Sequence, residues 1–319
     1  MSNQTIRIEL EDIRKAHKRI KPYIHKTPVL TCSTLNRMFE TELFFKCENF
    51  QKVGAFKARG ATNAVFSLSE KEAQRGVTTH SSGNHAAALA LAARRRGIKS
   101  YVVMPKNSPL VKVRAVKGYG AEIHFCEPTL KAREEGLEKI QSRTGAIFIH
   151  PYNNEKIIAG QGTAALELCN EVKNLDIVIA PVGGGGLLSG TAIAVSGITD
   201  NTQIFAAEPK GADDAYRSFL ENRLIPSQNP NTIADGLLTS LGELTFPIIK
   251  KYVKKILTVS DEEIIKAMRL IWERMKIIVE PSAAVTLAAI ISRPTLFNDK
   301  RIGLILSGGN VDLHNLPWQ

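Results

Sequence analysis

The amino-acid sequence predicts an α/β protein with two lobes, each a mostly parallel sheet flanked by helices. Two features carry that expectation. The chain has 319 residues, a length that fits two lobes better than one core. Along it, short apolar runs alternate with amphipathic stretches of about 10 to 15 residues, the pattern of βαβ units, whose strands run parallel.

In chain order, helical periodicity spans residues 11–23, a strand covers 41–47, a loop 48–54 and a second helix 56–68. A turn at 81–85 opens an alanine-rich helix over 86–96, which Gly97 stops, and a strand follows at 100–104. The alternation continues with helix 112–119, strand 122–126, helix 130–144 and strand 146–150. It resumes with strand 176–180, a glycine cluster, a helix over 188–195 and strand 203–207. Proline and asparagine crowd 224–231, which reads as a long surface connection. Ser260 and Glu263 are spaced as a capping box ahead of an amphipathic helix over 261–276, and a last strand at 301–306 runs into Ser307-Gly308-Gly309-Asn310.

The formal charge of +11 is dispersed rather than gathered. Its densest cluster, Arg94-Arg95-Arg96, reads as the solvated last turn of a helix, where cations offset the dipole. With no aromatic-interleaved basic motif, zinc-finger spacing or basic heptad, a nucleic-acid partner is not expected. Cys32, Cys47, Cys126 and Cys169 show neither a CxxC pair nor metal-type spacing and read as free thiols in a reducing compartment. The N-terminus lacks an apolar signal core, and no stretch approaches the ~20 apolar residues of a membrane span. The expectation is a cytoplasmic protein with no membrane partner.

Several clusters carry residue types suited to chemistry. In Gly54-Ala55-Phe56-Lys57-Ala58-Arg59-Gly60-Ala61, a lysine at a helix start is ordinarily a solvated surface residue. Flanking glycines and an aromatic ring suggest instead a confined amine, which a Schiff-base nucleophile requires. Ser81-Ser82-Gly83-Asn84-His85 holds more polar groups than an N-cap needs, and free N–H groups at such a helix start suit a carboxylate. Gly183-Gly184-Gly185-Gly186-Leu187 lies between a β run and a helix. Glycines there cost about 0.5 to 1 kcal/mol each in regular structure, so a turn without a ligand has little reason to hold four in a row. A phosphate cradle of backbone N–H groups does. The run fits neither GxGxxG nor the Walker pattern. Ser307 and its glycines follow a strand, and in open α/β sheets ligands sit outside the carboxyl ends of strands.

These residues resemble the fold-type II pyridoxal-phosphate (PLP) enzymes, and within them the serine racemase and threo-3-hydroxyaspartate dehydratase group. The resemblance runs from KTPVL at 26–30 through FFKCENFQKVGAFKARGA, SSGNH, AGQGT, GGGGLLSG, IADG, WERMKIIVEPSAA and LSGGNVDL. It implies a tryptophan synthase β-like fold, with a large cofactor-binding domain of residues 1–50 and 152–319 and a small domain of 51–151 covering the substrate cleft. It further implies that Lys57 carries the cofactor as an imine beside Phe56. Asn84 would bond the phenolic oxygen, Gly183, Gly184, Gly185, Gly186 and Leu187 would hold the phosphate, and Gly236 and Ser307 would complete the site, Ser307 facing the pyridine nitrogen. A hydroxyl there makes the ring a weaker electron sink than a carboxylate would, which favours loss of a β-hydroxyl.

Lys57 and Ser82 would stand on opposite faces of the substrate Cα, as racemisation requires, and the same pair permits dehydration to a keto acid and ammonia. Ser81, Ser82, Gly83, Asn84 and His85 would bind the substrate. A second substrate carboxylate needs a cation, for which Arg133 is the candidate and His150 the lesser one. Glu208, the Ala212 carbonyl and Asp214 resemble the group's divalent-cation site, suited to Mg²⁺, Ca²⁺ or Mn²⁺. The implied activity is serine racemisation with β-elimination on L-serine, D-serine and L-threo-3-hydroxyaspartate, in a homodimer. A dedicated hydroxyaspartate or serine/threonine ammonia-lyase is the alternative. Mammalian members bind ATP between subunits. Val53 and Ala87 stand at positions polar in those members, which argues against ATP activation here although Ser33, Lys52, Tyr119 and Asn310 are retained. A nicotinamide-binding oxidoreductase is the rival from another class, because Glu208 ends a strand about 20 residues after the glycines, where a ribose-binding acid belongs. The missing GxGxxG argues against it.

Overall fold

A computed structural model describes residues 7–81, 83–108 and 110–318. The alternating pattern resolves into two sheets. The larger has the order β1-β2-β10-β7-β8-β9. Its strands are β1 (Val29–Leu30), β2 (Glu42–Cys47), β7 (Ile177–Pro181), β8 (Gln203–Pro209), β9 (Lys255–Val259) and β10 (Arg301–Leu306). Only the β1–β2 pair is antiparallel. The smaller sheet, β5-β4-β3-β6, is parallel throughout and comprises β3 (Val77–His80), β4 (Ser100–Pro105), β5 (Glu122–Cys126) and β6 (Ile147–Phe148).

Both faces of the larger sheet are covered, so its strands read as continuous apolar runs. Along β8, Phe205 and Ala207 pack with the Asp261–Leu270 and Pro281–Ser292 helices. Their neighbours Ile204 and Ala206 pack on the other face with the Glu155–Glu171 and Gly186–Ile198 helices. In the smaller sheet, Val102 and Met104 pack against the Asn84–Arg96 helix, while Tyr101 and Val103 face the Leu130–Thr144 helix.

The expected strands at 122–126 and 301–306 form as read, and the capping box closes with Glu263 N–H donating to the Ser260 hydroxyl and Ser260 N–H to the Glu263 carboxylate. Other expectations change. The strand at 146–150 shortens to β6, because the chain leaves the sheet after Phe148 and turns toward the cleft. The helix at 261–276 is α-helical to Leu270 and ends as a π-turn, Ile271–Met275, closed by Lys276 at φ 59°. Arg94, Arg95 and Arg96 do occupy a last helical turn before Gly97, but they are not merely solvated. They donate to the carbonyls of Gly118, Tyr23 and Val65 respectively, with Arg96 also reaching Leu68. All four cysteines are free. Among the described residues no helix is long and apolar enough to cross a membrane.

Candidate active site

The carboxyl ends of β3, β7 and β10, with Phe56 and Lys57 from the segment after β2, converge on a cavity of about 210 Å³. Its wall includes Lys57, Asn84, Gly183 to Leu187, Glu280 and Ser307. Most clusters singled out in the sequence therefore meet at one place, as expected at strand ends in an open α/β sheet.

Lys57 begins the Lys57–Phe66 helix. The chain just before it is sewn to the end of β10: Ala55 bridges Gly308, Phe56 N–H donates to the Ser307 carbonyl at 2.9 Å, and Gly309 N–H to the Gly54 carbonyl at 2.9 Å. Gly54 sits at φ +66°, and a Cβ on it would lie 2.6 Å from the Asn310 side chain, so only glycine serves there. The Lys57 amine lies 5.1 Å from the Phe56 ring centre and donates to the Pro151 carbonyl at 3.0 Å. It is open to the cavity but enclosed by protein. Burial pulls its pKa down to about 8, partly opposed by the Glu280 carboxylate.

The cradle is built from Gly183, Gly184, Gly185, Gly186 and Leu187, all buried. Among the described residues none of their backbone N–H groups has a protein acceptor, and the Gly186–Ile198 helix has no side-chain cap. That arrangement fits a phosphate. The glycines also have a packing reason, contrary to the expectation that a turn without a ligand would not need them. A Cβ on Gly184 would lie 2.3 Å from the Tyr152 ring, and one on Gly183 2.9 Å from the Leu237 backbone. Gly185 has φ +85°. Gly236, opposite, donates its N–H to the Ser282 hydroxyl at 2.9 Å.

Asn84 begins the Asn84–Arg96 helix, whose first amides, those of Asn84, His85 and Ala86, find no acceptor among the described residues. The Asn84 side chain is held from both sides. Its Nδ2 donates to Glu280 at 3.0 and 3.2 Å, and its Oδ1 accepts from Asn310 at 2.9 Å. Burial pushes the Glu280 carboxyl up to about 7, helped by nearby Asp235. Sequence reasoning missed Glu280. Its one signal is a place before Pro281 at the head of a helix, which reads as an ordinary cap position.

Ser81 and Gly83 line the cavity, whereas Ser82 lies outside the described residues. His85 turns its ring inward, Nε2 against the Ile149 carbonyl at 3.1 Å, and burial keeps it neutral. His150 is tied to its own turn: its Nδ1 accepts from Asn153 N–H at 2.9 Å, and burial pulls its pKa to about 4. Of the two cations considered for a second carboxylate, Arg133 lines the cavity and His150 does not. The Arg133 Nε is buried without an acceptor among the described residues. Across the cleft, Lys112 pairs with Asp235.

Glu208, at the end of β8, is fully buried and accepts the backbone N–H groups of Ala215 and Tyr216 at 2.9 and 2.8 Å. A carboxylate so occupied is not the free ribose-binding acid of the nicotinamide reading. Asp214 is 1% exposed, and neither of its oxygens meets strict hydrogen-bonding geometry, although its own N–H and the Ser227 hydroxyl lie near enough to oppose the burial that pushes its pKa up to about 6. Two neighbouring buried carboxylates, one of them only weakly partnered, fit a hard cation. Among the described residues no three His, Cys, Asp or Glu side chains are placed to hold a metal ion together, so such a cation would also need the buried Ala212 carbonyl and water.

The family model described as pyridoxal-phosphate dependent enzyme matches residues 20–308, and the chain belongs to that family, with the fold of its fold-type II members. Its relatives narrow the group. It is 54% identical to a serine racemase of Dictyostelium discoideum over 97% of each chain. It is 53% identical to a beta-hydroxyaspartate dehydratase of Paracoccus denitrificans (strain Pd 1222), over 97% of this chain and 98% of that protein. The crystal structure of the Dictyostelium serine racemase superposes with a TM-score of 0.92 at 55% identity, covering 96% of this chain and 99% of that one.

Proposed function

We propose that this enzyme racemises serine and removes water and ammonia from small β-hydroxy amino acids, among them L-serine, D-serine and L-threo-3-hydroxyaspartate. The observation that carries this reading is an enclosed amine, Lys57, facing the same cavity as the unpartnered amides of residues 183–187. PLP, when bound, withdraws electrons from the substrate Cα so that its proton can leave.

The chain's own groups do the rest. Lys57 would hold the cofactor aldehyde and serve as the proton carrier at one face of Cα, and Ser82 is assigned the opposite face. Residues 183–187 would hold the phosphate, Gly236 would line the cofactor across from them, and the Ser307 hydroxyl would serve the ring nitrogen. Asn84 serves the phenolic oxygen, its amide kept in register by Glu280 and Asn310. Ser81, Gly83 and the first amides of the Asn84–Arg96 helix, His85 included, receive the substrate carboxylate. Arg133 receives a second one where the substrate carries it.

Glu208, Asp214 and the Ala212 carbonyl hold Mg²⁺, Ca²⁺ or Mn²⁺. We assign residues 51–151 to the small lobe over the cleft and the remainder to the large one, in a cytoplasmic homodimer. Val53 packs among apolar residues of the small lobe, which supports leaving ATP out of the scheme.

The test incubates holoenzyme with L-serine, D-serine and L-threo-3-hydroxyaspartate while keto acid and enantiomer are followed together. Keto acid without inversion of serine would leave a dedicated ammonia-lyase. Neither product would end the proposal.

A further inference from the structure

We propose that Arg59 is a positioning residue. Its guanidinium locks the first turn of the Lys57–Phe66 helix to the large-sheet side of the molecule, and so sets where the Lys57 amine stands in the cleft. This rests on Lys57 being the cofactor-binding amine.

Arg59 is fully buried, as are Glu48 and Lys46, and Glu167 is 4% exposed. Its Nε and Nη2 reach Glu48 at 2.6 and 2.8 Å, and its Nη1 and Nη2 reach Glu167 at 2.9 and 2.8 Å. Nη1 also donates to the Thr163 hydroxyl at 3.1 Å, so every guanidinium N–H is used. Lys46 completes the network with Glu167 at 2.7 Å and the Thr27 carbonyl at 2.7 Å. Arg59 and Lys46 thus balance Glu48 and Glu167, and the network is neutral as a whole. Burial raises the Glu167 pKa, but the hydrogen bonds and charges of Arg59 and Lys46 outweigh it and hold the group ionised.

A cation in a first helical turn opposes the helix dipole, and here Lys57 and Arg59 both lie in one, with no acidic residue or side-chain cap to offset them. Propensity therefore does not explain Arg59; its partners do. Glu48 directly follows β2, while Thr163 and Glu167 lie on the Glu155–Glu171 helix. The same seam is fastened further along by Gly60 N–H to Gln161 at 3.1 Å and Asn63 to the Lys156 carbonyl at 2.7 Å. Residues two apart on a helix project about 200° from each other. Arg59 is thus rooted behind the helix while Lys57 points into the cavity. Its action on Lys57 therefore runs through the position of the helix that both residues share.

Arg59→Lys keeps a cation but loses the paired forks. Glu167→Gln is a milder second variant that keeps Arg59 and Glu48. For each, three readouts are taken: the rate at which apoenzyme captures PLP, the visible circular dichroism of the bound cofactor, and the kcat–KM split on serine, beside apoenzyme melting. We expect cooperative melting, capture and kcat reduced about a hundredfold in Arg59→Lys and less in Glu167→Gln, an altered visible band, and KM little changed. Should Arg59→Lys fail to fold, Glu167→Gln decides. A folded variant with wild-type capture and dichroism overturns the proposal, as does a loss that merely tracks the unfolded fraction. A wild-type protein with no chromophore fixable at Lys57 would instead overturn the reading of the lysine itself.

Discussion

At the scale of single residues, protonation states follow from burial and are measurable. An amine with a pKa near 8 is half neutral at that pH, so PLP capture by apoenzyme should rise with pH through about 8 rather than through the ordinary lysine value of 10.5. Borohydride should then fix the cofactor on Lys57, and Lys57→Ala should take up none; capture rising only near 10.5 would contradict the enclosure described here. Glu280 works in the other direction. Its folded pKa of about 7 exceeds the ordinary 4.5, so the native state holds the proton more firmly. The Glu280 contribution to apoenzyme stability accordingly falls as pH rises from 4.5 to about 7, by roughly 3 kcal/mol, while the buried His85 and His150, held below the ordinary histidine value, act in the opposite sense, so the Glu280 contribution is read as the difference between wild type and variant. Denaturant titrations of Glu280→Gln should lack that slope and match wild type only at the acid end. Arg133→Ala should lower kcat/KM for L-threo-3-hydroxyaspartate about tenfold to a hundredfold and spare serine. Equal losses on both substrates would remove Arg133 from the second-carboxylate role. The residues that meet at the cavity, Lys57, Asn84, the glycine turn and Ser307, were legible in the sequence because each stands in an unusual local cluster. Glu280, Lys112 and Asp235 were not, since a single charge beside a turn looks like any solvated group until the fold buries or pairs it.

Among the elements, legibility follows amphipathicity. The Asp261–Leu270 helix has one buried face and a capping box, and it announced itself. The Glu155–Glu171 and Pro281–Ser292 helices are buried over nearly their whole length, and a helix apolar all round has no 3.6-residue signal to find. β3 and the two-residue β1 are too short to show alternation, and pairing with neighbours distant in sequence defines them, as it does β9. The glycine turn is the element most exposed to test. Gly185→Ala places a side chain at φ +85° against Thr245, and should cost about 1 to 3 kcal/mol by apoenzyme melting while weakening PLP binding. Unchanged melting and affinity would mean that the turn relaxes freely, which the crowding around it does not allow.

For the whole molecule, the cation proposed at Glu208 and Asp214 is a matter of linkage. A ligand of the folded state raises the melting temperature in a concentration-dependent way. Mg²⁺ or Ca²⁺ should therefore do so beyond an ionic-strength control, and Asp214→Asn should abolish the difference. A gain that persists in that variant would place the cation elsewhere. The order of the larger sheet bears on how the protein is made. β10, the last strand in sequence, lies between β2 and β7. Until it arrives, those two strands share no neighbour, the lysine loop has no strand end to be sewn to, and Ser307 is absent from the cleft. A nascent chain emerging from the ribosome thus carries its amine and its glycine turn long before it can hold a coenzyme. Vitamin capture should wait until β10 is in place.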